Sequence, residues 1–131
     1  MTARFDAIGI TVSHMDRSVP FYRLLGLEFP EKAETEGHVE AALPGGMRLM
    51  LDTEEVVRSF DPEYEPPTRA GRIGLAFLCD SAEQVDEIYS TMINAGHRGK
   101  MEPFDAFWGQ RYATVFDPDE NLVDLFAPLR H

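Results

Sequence analysis

Cysteine is almost missing from this chain of 131 residues: Cys79 is the only one. No intrachain disulfide and no cysteine metal cluster can form. Cys79 lies in an apolar run, so a buried thiol acting as a small hydrophobe is expected. No apolar run approaches the roughly 20 residues of a spanning helix. The first residues, MTARFDAIGI, lack the apolar stretch and cleavage site of a secretory leader. The cytoplasm is therefore the expected location, with no membrane partner. Positive charge is also scarce. Lys and Arg number 12 against 23 Asp and Glu, a net charge of −11, with a pI near 4.6. Such a surface repels nucleic-acid backbones, so no nucleic-acid partner is expected. It favours a cationic ligand, or serves only solubility. A Ser/His/Asp triad, a phosphate-binding glycine loop and a zinc cysteine set are all lacking.

What is present is ordinary for a folded chain: 44% hydrophobic and 27% charged residues. The length suits one compact domain or two half-size modules. The chain states one plan twice. IGITV at Ile8 and IGLAF at Ile73 each precede a helical segment, a glycine and several strand-like runs. Half-modules at about 1–55 and 71–131 follow, within a single 1–131 domain. The proline-rich stretch 54–70, with Pro62, Pro66 and Pro67, is expected to link them.

The first helix is expected from Asp16 to Leu25, with Asp16 or Ser18 receiving free backbone N–H groups and Pro20 near the first turn. Val19, Phe21 or Tyr22, and Leu25 supply its apolar stripe, and Gly26 suits the cap that ends it. The second helix is expected from Ala82 to Ala95. Ser81 and Gln84 resemble a capping box there, and Ala82, Val85, Ile88, Tyr89, Met92 and Ile93 recur at helical spacing. Strands are expected at Phe5–Ser13, Glu28–Glu31, Val39–Leu43, Met47–Thr53, Arg72–Cys79, Arg98–Phe104, Gln110–Phe116 and Asn121–Ala127. LPGGM and DPDEN read as hairpin turns.

Parity along the strands separates two faces. One carries Ile8, Ile10, Val12, Leu49, Leu51, Ile73, Leu75, Phe77, Val123 and Leu125. All are large and apolar, and should pack under the helices. The other carries Ala7, Gly9, Thr11, Arg48, Met50, Asp52, Gly74, Ala76, Leu78, Leu122, Asp124 and Phe126. It is small or mixed, which suits either a solvated sheet face or the floor of a ligand cavity.

FYRLLGLEF from Phe21 and GQRYATVFDPDENLVDLFAP from Gly109 resemble signatures of the vicinal oxygen chelate superfamily, which includes glyoxalase, bleomycin-resistance and dioxygenase proteins. The resemblance runs from Phe5 to Pro128. It implies an α+β fold of paired βαβββ modules whose curved mixed sheets form a cup, the glyoxalase/bleomycin resistance/dihydroxybiphenyl dioxygenase fold. It also implies a homodimer. Most enzymes of the superfamily hold a divalent metal on four strands, at positions that here fall on Ala7, Met50, Gly74 and Asp124. Three of these offer no His or carboxylate donor, so no metal and no cofactor are expected. Glu120 stands where the family commonly has glycine, which implies strain or a different turn.

The expected ligand-binding residues are Trp108, Phe104, Tyr112, Arg48, Met50 and Asp124. Aromatic faces stack on flat ligands and attract cations. Core packing or a dimer contact is the other reading of Phe104, Phe107, Trp108 and Tyr112. Arg48 pairs with Asp52 or Asp124 in a structural role, or Asp124 recognises an amine or hydroxyl. Gln110 and Arg111 are weaker candidates. His14, His38, His97 and His131 are read as exposed or structural. A metal-free, bleomycin-resistance-like binding protein for a hydrophobic or cationic aromatic compound is the leading expectation. The alternative is a lyase, isomerase or dioxygenase-type enzyme, in which Asp124 is the one obvious catalytic residue, a general base.

Overall fold

A computed structural model describes residues 2–68 and 72–129. The chain forms two compact units, one reaching Pro67 and the other starting at Thr68. The first contains β1 (Ala7–Val12), α1 (Met15–Leu24), β2 (His38–Ala42), β3 (Arg48–Thr53) and α2 (Glu54–Phe60). The second contains β4 (Gly74–Leu78), α3 (Ala82–Asn94), β5 (Gly99–Ala106), β6 (Gln110–Phe116) and β7 (Leu122–Pro128).

Each unit has one mixed sheet, with strand orders β1-β3-β2 and β4-β7-β6-β5. In both, the opening strand lies parallel to the closing one, β1 beside β3 and β4 beside β7. The repeated plan thus produces a repeated topology. The second unit is βαβββ as expected. The first lacks the expected strand at Glu28–Glu31. Pro30 removes a ladder donor there, and its carbonyl instead accepts from Arg23 Nη2 at 2.7 Å.

The start of the expected linker is also different, because it forms α2. Thr53 caps that helix, its hydroxyl accepting from the Val56 N–H at 3.2 Å. Glu54 and Glu55 sit in the first turn, where carboxylates are favourable.

The face assignment holds with one exception. Val12, Leu51, Val123 and Leu125 are fully buried and Leu49 nearly so. Ile8, Ile10, Leu75 and Phe77 are half-buried. Ile73 is 76% exposed, because β4 begins only at Gly74 and the alternation has not yet started. Val19, Phe21 and Tyr22 of α1 and Val85 and Met92 of α3 complete the two cores. Each such side chain contributes roughly 1.5–3 kcal/mol before its entropy cost. Cys79 is buried as expected.

The α3 cap matches its sequence signature. Ser81 Oγ accepts from the Gln84 N–H at 3.1 Å, and Gln84 Oε1 accepts from the Asp80 N–H. The α1 start does not. Its N-cap is His14, with no side-chain cap bond, and Pro20 lies well inside the helix, where its missing N–H costs a bond. Ser18 is buried in α1, and its hydroxyl is the one buried side-chain polar atom without a partner among the described residues. Ser18→Ala is therefore expected to stabilise the chain by about 1 kcal/mol, by removing an unmatched buried hydroxyl and improving helix propensity. Urea denaturation of the two proteins checks this.

The two expected hairpin turns are present. Gly45 and Gly46 adopt φ of 82° and 83° between β2 and β3. Glu120 has φ 69°, the only positive φ outside glycine among the described residues, so the expected strain is there.

Candidate functional site

Four of the six expected ligand-binding residues gather on one sheet face of the second unit. Tyr112 and Thr114, two apart on β6, share a face, and the β6–β7 ladder sets them opposite Phe126 and Asp124. Phe104 on β5 pairs with Tyr112. Trp108 lies in the turn after β5, half exposed, and its indole N–H donates to Gln110 Oε1 at 2.7 Å. The rings meet edge to face. Trp108 and Tyr112 centroids are 5.2 Å apart, Phe104 and Tyr112 6.1 Å, and Phe104 and Trp108 6.3 Å. Phe107 extends the cluster at the tip and is 96% exposed.

Asp124 closes this row. The Tyr112 hydroxyl donates to its Oδ2 at 2.5 Å and the Thr114 hydroxyl to its Oδ1 at 2.8 Å. Burial first, then the bond to Asp124 and its charge, push the Tyr112 phenol up to about 12. Tyr112 is thus a neutral donor across the ordinary pH range.

Arg48 and Met50 belong to the sheet of the first unit. Arg48 does not pair with either expected partner. It donates to Glu40 Oε2 at 2.8 Å and to Asp6 Oδ2 at 2.6 Å. The reason is register: Glu40 of β2 stands opposite Met50, one diagonal step from Arg48. Met50 stands opposite Gly9 on β1, and a β-carbon on Gly9 would lie 3.5 Å from the Met50 methyl. Arg111 points to the helix side, where it forks onto Asp86 of α3 at 2.9 and 3.1 Å and reaches Asp105 at 3.0 Å. It ties the aromatic hairpin to α3.

His38 carries more than the sequence assigned to it. Its Nδ1 faces Asp52 Oδ1 at 2.5 Å and its Nε2 faces Glu40 Oε2 at 2.8 Å. A protonated ring donates to both. The signal was available in His38-x-Glu40, which places both on one strand face. The bond to Glu40, then that to Asp52, raise the His38 pKa above its ordinary 6.5 against the effect of burial. A raised folded-state pKa gives stability that is complete below the unfolded value and lost as pH climbs through the folded one. Urea midpoints are therefore expected to fall as pH rises above the ordinary histidine value of 6.5, with a smaller fall in His38→Gln. An equal fall in both proteins would remove His38 as the cause. His14 is exposed, its ring near Ser13 Oγ at 3.1 Å, and His97 is half-buried. His131 lies outside the described residues.

The residues do not fit the divalent metal implied by the resemblance. Ala7 and Gly74 carry no donor, and the Met50 thioether is a poor one for such an ion. Both Asp124 oxygens already accept a hydroxyl hydrogen.

The family model for the Glyoxalase/Bleomycin resistance protein/Dioxygenase superfamily matches residues 4–125. Solved structures share the fold. A glyoxalase/bleomycin resistance protein/dioxygenase family enzyme from Burkholderia phytofirmans is 19% identical with a TM-score of 0.81, covering 97% of this chain and 100% of that one. A glyoxalase-related enzyme from Fulvimarina pelagi is 16% identical with a TM-score of 0.79, covering 96% and 88%. A glyoxalase/dioxygenase from Nostoc punctiforme is 21% identical with a TM-score of 0.70, covering 97% and 92%. No curated protein matches the sequence significantly.

Proposed function

This chain belongs to the Glyoxalase/Bleomycin resistance protein/Dioxygenase superfamily, and on that footing we propose that it is a metal-independent small-molecule-binding protein. Its ligand is a hydrophobic or aromatic compound, cationic ones included, which it holds without chemistry. The observation that carries this reading is the cluster of Phe104, Trp108 and Tyr112 beside Asp124 on a sheet face whose metal-ligand positions hold no donor set. Aromatic rings offer faces on which a flat guest can stack. The proposal includes a homodimer in the cytoplasm, as resemblance and composition imply; among the described residues no helix is long and apolar enough to cross a membrane.

Trp108 is the only tryptophan, so its fluorescence reports directly on the cluster. Titration with a basic glycopeptide antibiotic and with unrelated aromatic compounds is expected to give saturable quenching that a chelator does not change. Trp108→Ala should weaken binding about tenfold by calorimetry, or about 1.4 kcal/mol. A folded protein that shows no saturable binding overturns the reading. The enzyme alternative uses the same carboxylate as a base, and turnover that disappears in Asp124→Asn would restore it.

A further inference from the structure

Asp124 is the only carboxylate on the shared face of three neighbouring strands. That face carries Gly74, Ala76 and Leu78 on β4, Leu122, Asp124 and Phe126 on β7, and Gln110, Tyr112, Thr114 and Phe116 on β6. The carboxylate is half-buried. Its two partners are the Tyr112 and Thr114 hydroxyls, and no cationic side chain among the described residues pairs with it. Arg98 and Lys100 lie over the Phe116 ring instead, at 4.7 and 5.7 Å. The hydroxyl donors satisfy part of its acceptor capacity but bring no countercharge.

Room for a countercharge is built in on one side. A carboxylate has about four acceptor sites and the hydroxyls use two. On β4, Ala76 stands opposite Asp124 and Gly74 stands one step further. A β-carbon on Gly74 would come only to 3.9 Å from Asp124 Oδ2 and 3.7 Å from the Leu122 carbonyl oxygen. The missing side chain therefore leaves room for an atom in ordinary contact with Oδ2. Tyr112 bridges this space to the aromatic cluster, its hydroxyl on Asp124 and its ring 5.2 Å from Trp108. A nitrogen seated there meets a fixed anion and adjoining aromatic rings, both of which favour a cation.

We infer that Asp124 anchors the protonated nitrogen of an aromatic amine or amidine, and that Gly74 provides the space for it. This rests on the binding reading above and names its ligand class. Gly74 acts here as a specificity residue.

The test compares tryptamine with tryptophol, its uncharged alcohol analogue, by chemical-shift titration of the labelled protein. Wild-type protein is expected to bind tryptamine at least about tenfold more tightly, with shifts at Gly74, Asp124 and Trp108. Asp124→Asn should abolish the preference, bringing the tryptamine affinity down to that of tryptophol in the same variant. Gly74→Val should weaken tryptamine about tenfold, while Trp108→Ala weakens both probes alike. Equal affinities for the two probes in the wild type, a comparison that needs no variant, overturn the cation seat and leave the binding reading standing. Retention of the preference in Asp124→Asn also overturns it. Binding of neither probe overturns the seat and counts against the binding reading as well.

Discussion

Leu51→Ala is expected to lower the unfolding free energy by about 2–5 kcal/mol, while Met50→Ala, one residue earlier, costs about 1 kcal/mol or less. The contrast comes from strand geometry. Leu51 is fully buried, and its ladder neighbours are Ile10 and Val39. Removing its isobutyl group leaves a cavity that rigid strand neighbours fill only partly. Met50 points the other way, is half-buried, and lies against Gly9 and Glu40. Urea unfolding of both variants decides the matter. Equal losses would mean that the faces of β3 are wrongly assigned, because a slip of one residue exchanges them.

Asp117→Ala is expected to cost about 3 kcal/mol. Asp117 is 3% exposed and follows β6. Its Oδ1 accepts the N–H groups of Asp119 and Asn121 at 2.9 and 2.8 Å, and its Oδ2 accepts the Asn121 side-chain amide at 2.8 Å. Hydrogen bonds to a charged acceptor are the stronger kind, and the substitution leaves three part-buried donors unmatched. The carboxylate also holds the turn that forces Glu120 to φ 69°. Thermal and urea denaturation measure the loss. A cost below about 1 kcal/mol would show that water replaces the carboxylate at no penalty.

Both predictions rest on features of unequal visibility in the sequence. The DPDEN run announces a turn, because Asp, Pro and Asn favour one locally. It does not announce that the first Asp is the buried acceptor. The cap of α3 was visible because Ser81 and Gln84 are only three residues apart, and the partner is set by the helix itself. The cap of α2 had the same kind of signal in Thr53, Glu54 and Glu55, but the prolines that follow suggested a linker. Ser18 shows the reverse. It is a good capping residue by type, yet the helix starts earlier at Met15 and buries it.

The candidate site divides in the same way. Parity assigned Asp124 and Met50 to the faces opposite the cores, and the aromatic residues were evident from composition. That Tyr112 and Thr114 both hold Asp124 depends on the β6–β7 register. That His38 and Arg48 share Glu40 depends on β2 lying beside β3.

By itself, the sequence determined the duplicated plan, the helix ends marked by Ser81, Gly26 and Gly96, and the apolar faces of the strands. These are properties of period, local hydrogen bonding and residue type. Only the tertiary structure decided which charged and hydroxyl groups meet. Partners on neighbouring strands are set by ladder register, and register comes from contacts between residues far apart in the chain.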